Sequence, residues 1–299
     1  MTRGQRWTSR SIGSRLQHGV FYLLIRSLGR RPAYVLLFFV VLWYTLRPMT
    51  RARSAPYLAR RFPNAGRLQQ LLHCFRLNWN FGLTLVDRAA SGILGQFSIT
   101  ASRDDEQVLK TLLNEGQGLI LLTGHFGCWQ TSSTGLEGIE TPVHVLMHRA
   151  PDDIDRQHFE HAGTDAPFRI IDPCGYLGGS LEMLDALAKG HILGLMGDRT
   201  FGNDRNTVSV PFLGGSVRLP FSAYRLASVT AAPILIFFSS RIGPGQARHE
   251  IARIIRVPQG LGRSGENYIP YARQFALALE EMVKANPYQF FNFYDMWEN

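Results

Sequence analysis

Residues 119–130 read Leu119-Ile120-Leu121-Leu122-Thr123-Gly124-His125-Phe126-Gly127-Cys128-Trp129-Gln130, and the reading of the fold starts there. Leu119 to Thr123 is a short apolar run with the length and flanks of a buried strand. A Gly–His–Phe–Gly turn follows, and then a segment of Trp, Gln, Thr and Ser that opens a helix. A histidine at the C-terminal end of a buried strand, set between glycines, occupies the place where α/β enzymes put their chemistry.

Outward from this stretch the pattern alternates. Strands are predicted at 118–123, 142–147, 168–172, 191–196, 208–212 and 232–239, and helices at 104–115, 129–138, 177–189, 219–229 and 268–285. Alternation of this kind indicates an α/β domain. Residues 66–94 carry Leu68, Leu71, Leu72, Phe75, Leu77, Trp79, Phe81, Leu83 and Leu85 at helical spacing, predicting a long helix that leads into the globule. There are no internal repeats and no low-complexity linker. The expected organisation is an N-terminal extension over 1–65 and one α/β domain over 66–299.

The extension is set apart by charge. The chain carries +9 in total, yet Met1 to Val86 hold 14 Arg, no Lys and no acidic residue. The remaining 18 basic residues are outnumbered by all 23 acidic ones, a net of −5. A cationic end of this kind suits nucleic acid or an anionic membrane. The apolar runs Val20–Ile25 and Ala33–Leu46 between the arginines exclude a nucleic-acid arm and fit lipid. Residues 1–31 read as a basic, partly amphipathic helix, and Pro32 suits the first turn of a second. The uncharged run 32–46 would be about 22 Å long as a helix, short of the ~30 Å of a hydrocarbon core. Arg47, Arg51 and Arg53 follow it directly, so the expectation is a helix lying in one leaflet. A late apolar stretch without a small-residue cleavage site argues against a signal peptide.

Cys74, Cys128 and Cys174 form no C-x-x-C pair, which suits a reducing compartment. His144 with His148 and His158 with His161 lack a third ligand at a recognisable spacing, so no metal is expected. No cofactor is expected either. The chain has no G-x-S-x-G elbow, and Cys128, in an apolar turn with no dedicated base, reads as a packing residue. His125 and Gln130 form H-x4-Q. A histidine oriented by a neighbouring acceptor can take a proton from a hydroxyl, which makes direct acyl transfer from a thioester feasible without a covalent enzyme intermediate.

TGHFGCWQ resembles the H-x4-[DE] block of the lysophospholipid acyltransferase superfamily, in its bacterial lipid A late acyltransferase branch. Further blocks resemble that branch in the same order. They are Met147-His148-Arg149, Leu195-Met196-Gly197-Asp198-Arg199, the F-x-G-x5-P block from Phe212 through Gly214 to Pro220, Ala232-Pro233-Ile234, and the ending Asn286 to Tyr294. The resemblance implies a mixed central sheet flanked by helices and a fatty acyl transfer to a hydroxyl of a membrane lipid, lipid A-like or glycerolipid. The implied donor is acyl carrier protein or acyl-CoA, and the implied location is the cytoplasmic face of the bacterial inner membrane, with no nucleic-acid partner. It assigns His125 as general base and offers Arg149, Arg199 and Arg218 as phosphate ligands, with Asp198, Phe212, Gly214 and Pro220 among the substrate-binding blocks. Asp198 and Arg199 can equally brace each other, and Gly214 can equally serve a plain hairpin.

One departure bears on activity. Where the family carries a carboxylate, this chain has Gln130. An amide fixes the imidazole tautomer but supplies no charge. Loss of the carboxylate in an analogous triad costs about 10⁴ in rate. Three outcomes follow: a slower enzyme, a carboxylate recruited from Asp198 or Glu137, or a lipid-binding protein without catalysis.

Overall fold

The computed structural model describes residues 13–136, 139–148, 156–199 and 206–298. Four helices come first: α1 (Arg15–Leu28), α2 (Arg30–Leu46), α3 (Pro48–Arg61) and α4 (Arg67–Leu94). The α/β region then runs β1 (Ser98–Thr100), α5 (Arg103–Asn114), β2 (Leu119–Thr123), β3 (Val143–Leu146), α6 (His158–Ala162), β4 (Arg169–Ile171), α7 (Ser180–Ala188) and β5 (Ile192–Met196). It finishes with β6 (Thr207–Phe212), β7 (Gly215–Pro220), α8 (Ser222–Thr230), β8 (Ile234–Gly243), β9 (Gln246–Ile255) and α9 (Ile269–Ala285).

Seven strands form a mixed sheet in the order β1-β9-β8-β2-β5-β3-β4, and β6 and β7 form a separate hairpin. Strands β8, β2, β5, β3 and β4 run parallel, while β8 and β9 are antiparallel. The unbroken apolar run of β2 has a physical reason. Its alternate side chains are buried on opposite faces, Ile120 and Leu122 in the main core and Leu119 and Leu121 in a second cluster with Leu112 of α5. Strands β5 and β8 divide the same way, with Leu193, Leu195, Ile234 and Ile236 on one face and Ile192 and Leu235 on the other. The sheet is therefore a middle layer with helices on both sides, as the resemblance implied.

Several boundaries move. The long helix 66–94 is α4, whereas the segment predicted as a helix from 129 is a 3-10 turn over Trp129–Leu136. The helix predicted from 219 starts at Ser222, because Leu219 and Pro220 complete β7. Strand β9 was not foreseen, since Arg248, His249, Glu250 and Arg253 break its apolar pattern. Pairing along the full length of β8 forms it nonetheless.

In the N-terminal region Gly29 breaks the chain between α1 and α2 at φ +82, a value that favours glycine. Helices α2 and α3 meet at 86°. Ile25, Ala33, Leu37 and Val41 pack on Leu83, Val86, Ala89 and Ala90 of α4 in a small core of their own. Tyr57, Leu58, Cys74 and Leu77 join the main core instead. The outer faces of α1 and α2 expose Leu16, Val20, Leu23, Val35, Phe39, Trp43 and Leu46. No single described helix is long and apolar enough to cross a membrane; α2 and α3 reach that length and apolarity only as a bent pair.

Candidate active site

Strands β2 and β5 pair in parallel with Thr123 opposite Met196. Each then continues through a glycine, Gly124 and Gly197, to a polar residue, His125 and Asp198. The two side chains therefore leave adjacent strands at matched positions on the C-terminal edge of the sheet. His125 Nδ1 lies 2.9 and 3.1 Å from the two Asp198 oxygens, and the His125 backbone N–H donates to the same carboxylate at 3.2 Å. Gly197 has a packing reason, because a Cβ there would meet the Phe275 ring at 2.8 Å.

The turn after His125 is held from two sides. Gly127 and Cys128 donate to the Gln289 and Ser239 carbonyls at 2.8 and 2.7 Å. Gly127 has φ +54, and a Cβ there would come within 2.1 Å of the Ser239 oxygen. Only glycine fits such a position without displacing the backbone. The C-terminal tail completes the cradle, with Phe291 N–H donating to the His125 carbonyl at 3.0 Å. Trp129 packs edge-on against the imidazole at 4.7 Å.

Charge is arranged around Asp198, whose side chain is fully buried. Burial alone would raise its pKa. His125 and Arg199 outweigh burial and hold it down to about 2. Arg199 Nε lies 3.4 Å from the carboxylate, while its Nη2 donates to the Phe291 carbonyl and its guanidinium sits over the Tyr294 ring. Burial lowers the pKa of His125 first, with Arg199 adding to it and Asp198 opposing. The neutral pH state is thus a neutral imidazole beside an ionised carboxylate. A carboxylate only accepts, so Nδ1 carries the proton and Nε2 is the basic nitrogen.

The expected orienting acceptor changes identity. Nδ1 is given to Asp198 rather than to Gln130, which sits half-buried in the 3-10 turn. Arg199 braces the carboxylate and is largely buried, which does not suit an open phosphate ligand. Phe212 is a core residue against Phe290 and Trp297. Gly214 follows Leu213 in a two-residue hairpin turn with φ +47 and +72, and Pro220 ends that hairpin. Arg218 lies on the same hairpin, bonded to Thr207 and Glu298. Arg149 and Glu137 fall outside the described residues. Tail residues Gln289 and Phe291 belong to the ending that resembles the family, but their part in building the site was missed, because contacts from so far along the chain leave no local spacing to read.

Cys128 is buried in the turn, and burial pushes its thiol up to about 12. A buried thiol of that kind is no nucleophile. What the cluster offers chemically is a neutral imidazole with a basic Nε2 and a charged partner at Nδ1.

Comparison with curated proteins gives no match. The family model for bacterial lipid A biosynthesis acyltransferases matches residues 91–299, which include β2, β5, the dyad and the tail that backs it. With more than two thirds of its length matched, the chain belongs to the bacterial lipid A biosynthesis acyltransferase family and is an enzyme that transfers acyl groups to lipid.

Proposed function

We propose that this acyltransferase moves a fatty acyl group from acyl carrier protein or coenzyme A to a hydroxyl of a lipid A-like acceptor, with His125 as general base. His125 Nε2 takes the hydroxyl proton as the acceptor oxygen attacks the thioester carbonyl. The tetrahedral intermediate collapses, the carbon–sulfur bond breaks, and the imidazolium returns the proton to the departing thiolate. Asp198 stabilises the imidazolium while it exists. The observation that carries this reading is the hydrogen-bonded pair of His125 Nδ1 and a buried, ionised Asp198. It supplies the negative charge that Gln130 lacks, and so favours catalysis over a purely lipid-binding role.

The setting we propose is the cytoplasmic face of the bacterial inner membrane, with α1 and α2 lying in one leaflet. Supporting it are the exposed apolar faces of those helices and the arginines that flank them, among them Arg47 packed over Trp43. Mass spectrometry of lipid extracts from a deletion strain tests the whole reading. A lipid short of one acyl chain, restored by the wild-type gene but not by His125→Ala, is the expected result. Restoration by His125→Ala would remove the proposed base, and an unchanged lipid profile would remove the lipid A-like acceptor.

A further inference from the structure

The C-terminal edge that carries His125 and Asp198 continues across β3 and β4, where a second group of polar side chains collects. His148 follows β3, and Asp172 and Cys174 follow β4, two adjacent parallel strands. His148 Nδ1 lies 3.5 Å from Asp172 Oδ1 and 3.6 Å from Cys174 Sγ. All three donor atoms fall within 4.8 Å of one another, the one such group among the described residues.

The two separations from His148 match edges of a tetrahedron around one ion. With zinc–sulfur and zinc–nitrogen bonds of ~2.3 and ~2.05 Å, a tetrahedral angle puts sulfur about 3.6 Å from nitrogen. Nitrogen and a carboxylate oxygen come out about 3.4 Å apart by the same geometry. Two of the three edges are therefore already at coordination length. The carboxylate is oriented as well, since Cys174 N–H donates to Asp172 Oδ1 at 2.9 Å, the sort of outer hydrogen bond that aims a metal ligand.

The donors select the ion. One thiolate, one imidazole and one carboxylate make a borderline-soft set that suits Zn²⁺ far better than Mg²⁺ or Ca²⁺. Three protein ligands leave a fourth position for water. Of the three cysteines only Cys174 is exposed, whereas Cys74 and Cys128 are buried with raised pKa values. We propose that His148, Asp172 and Cys174 form a Zn²⁺ site that pins the ends of β3 and β4 together. Binding would release the Cys174 thiol proton to solvent and needs no redox partner. It goes beyond the acyl transfer proposed above and does not depend on it.

The test uses the full-length protein in detergent, stripped with a chelator and titrated with Co²⁺ as a spectroscopic stand-in, then with Zn²⁺ against a chromophoric chelator. The expected result is one equivalent bound per chain, with a near-ultraviolet thiolate-to-cobalt band that Cys174→Ser abolishes. His148→Ala and Asp172→Asn should each weaken Zn²⁺ binding by at least about tenfold, as loss of a ligand or its support does. Zn²⁺ should also slow maleimide labelling of Cys174 in the wild type and not in His148→Ala. A cobalt band that persists in Cys174→Ser, or labelling indifferent to Zn²⁺, overturns the site. Metal-free melting temperatures equal to wild type show that the variants fold.

Discussion

Burial holds His125 neutral, which suits the base proposed for it and sets a pH dependence. Burial and Arg199 lower its pKa below the ordinary 6.5. The acid limb of kcat/KM should therefore fall below pH 6.5 rather than at it, with activity rising as pH increases through that limb. Asp198 works in the same direction on stability. Its folded value lies below the ordinary 3.8, so the pair stabilises the fold above that value and the gain is lost as pH falls toward about 2. Removing the charge alone, by Asp198→Asn, should lower kcat by about 10⁴ with little change in KM. Gln130→Glu should leave kcat near wild type in the same assay, because Nδ1 is already committed to Asp198. A large gain from that change would return the orienting role to position 130. His125 stood out at its strand end between glycines, but only the sequence blocks around it raised it above an ordinary turn residue. Its partner was legible only as one of two candidate carboxylates, Asp198 and Glu137, because Asp198 arrives 73 residues later on a neighbouring strand, and only sheet pairing brings it alongside.

Among elements, the junction of α2, α4 and the β8–β9 hairpin rests on one buried carboxylate. Asp87 accepts from Arg241 Nε at 2.7 Å, from Gly245 N–H at 3.0 Å and from Tyr34 OH, and Arg30 approaches at 3.7 Å. From Arg241 the backbone runs on through Gln289, which bonds it at 2.8 and 3.0 Å, to the Gly127 turn beside His125. Truncating Asp87 to Ala leaves the half-buried Arg30 and Arg241 without their carboxylate, and urea unfolding should show a loss of about 3 kcal/mol. Early proteolytic release of the helices before α4 should accompany it. At the turn itself, Gly127→Ala should cost at least about 1–3 kcal/mol from its left-handed backbone alone, read as a lowered melting temperature. The central strands β2, β5 and β8 were legible because both of their faces are buried and their sequences are largely apolar, whereas the short, exposed β1 was not predicted. Strand β9 was not, since one face meets solvent and its charged residues obscure the period. The Gly243-Pro244-Gly245 turn ahead of it was the one available signal.

For the whole molecule, the proposed membrane setting predicts how the enzyme partitions. Binding to vesicles rich in anionic lipid should weaken steeply with salt, because each arginine near the surface contributes about 1 kcal/mol. Replacing Phe39 and Trp43 by Ser should weaken binding to neutral vesicles too, measured by sedimentation. Insensitivity to both changes would remove α1 and α2 as the membrane face. The parallel register between β2 and β5 has a consequence of another kind. Five residue pairs, Leu119 with Ile192 through Thr123 with Met196, fix where His125 and Asp198 emerge. Loops between those strands that lie outside the Gly127 turn and outside β3, which pairs with β5, can lengthen or shorten without changing the separation of the two groups. The spacing of the proposed base and its carboxylate is thus a property of the sheet, inherited with its strand register and independent of those loops.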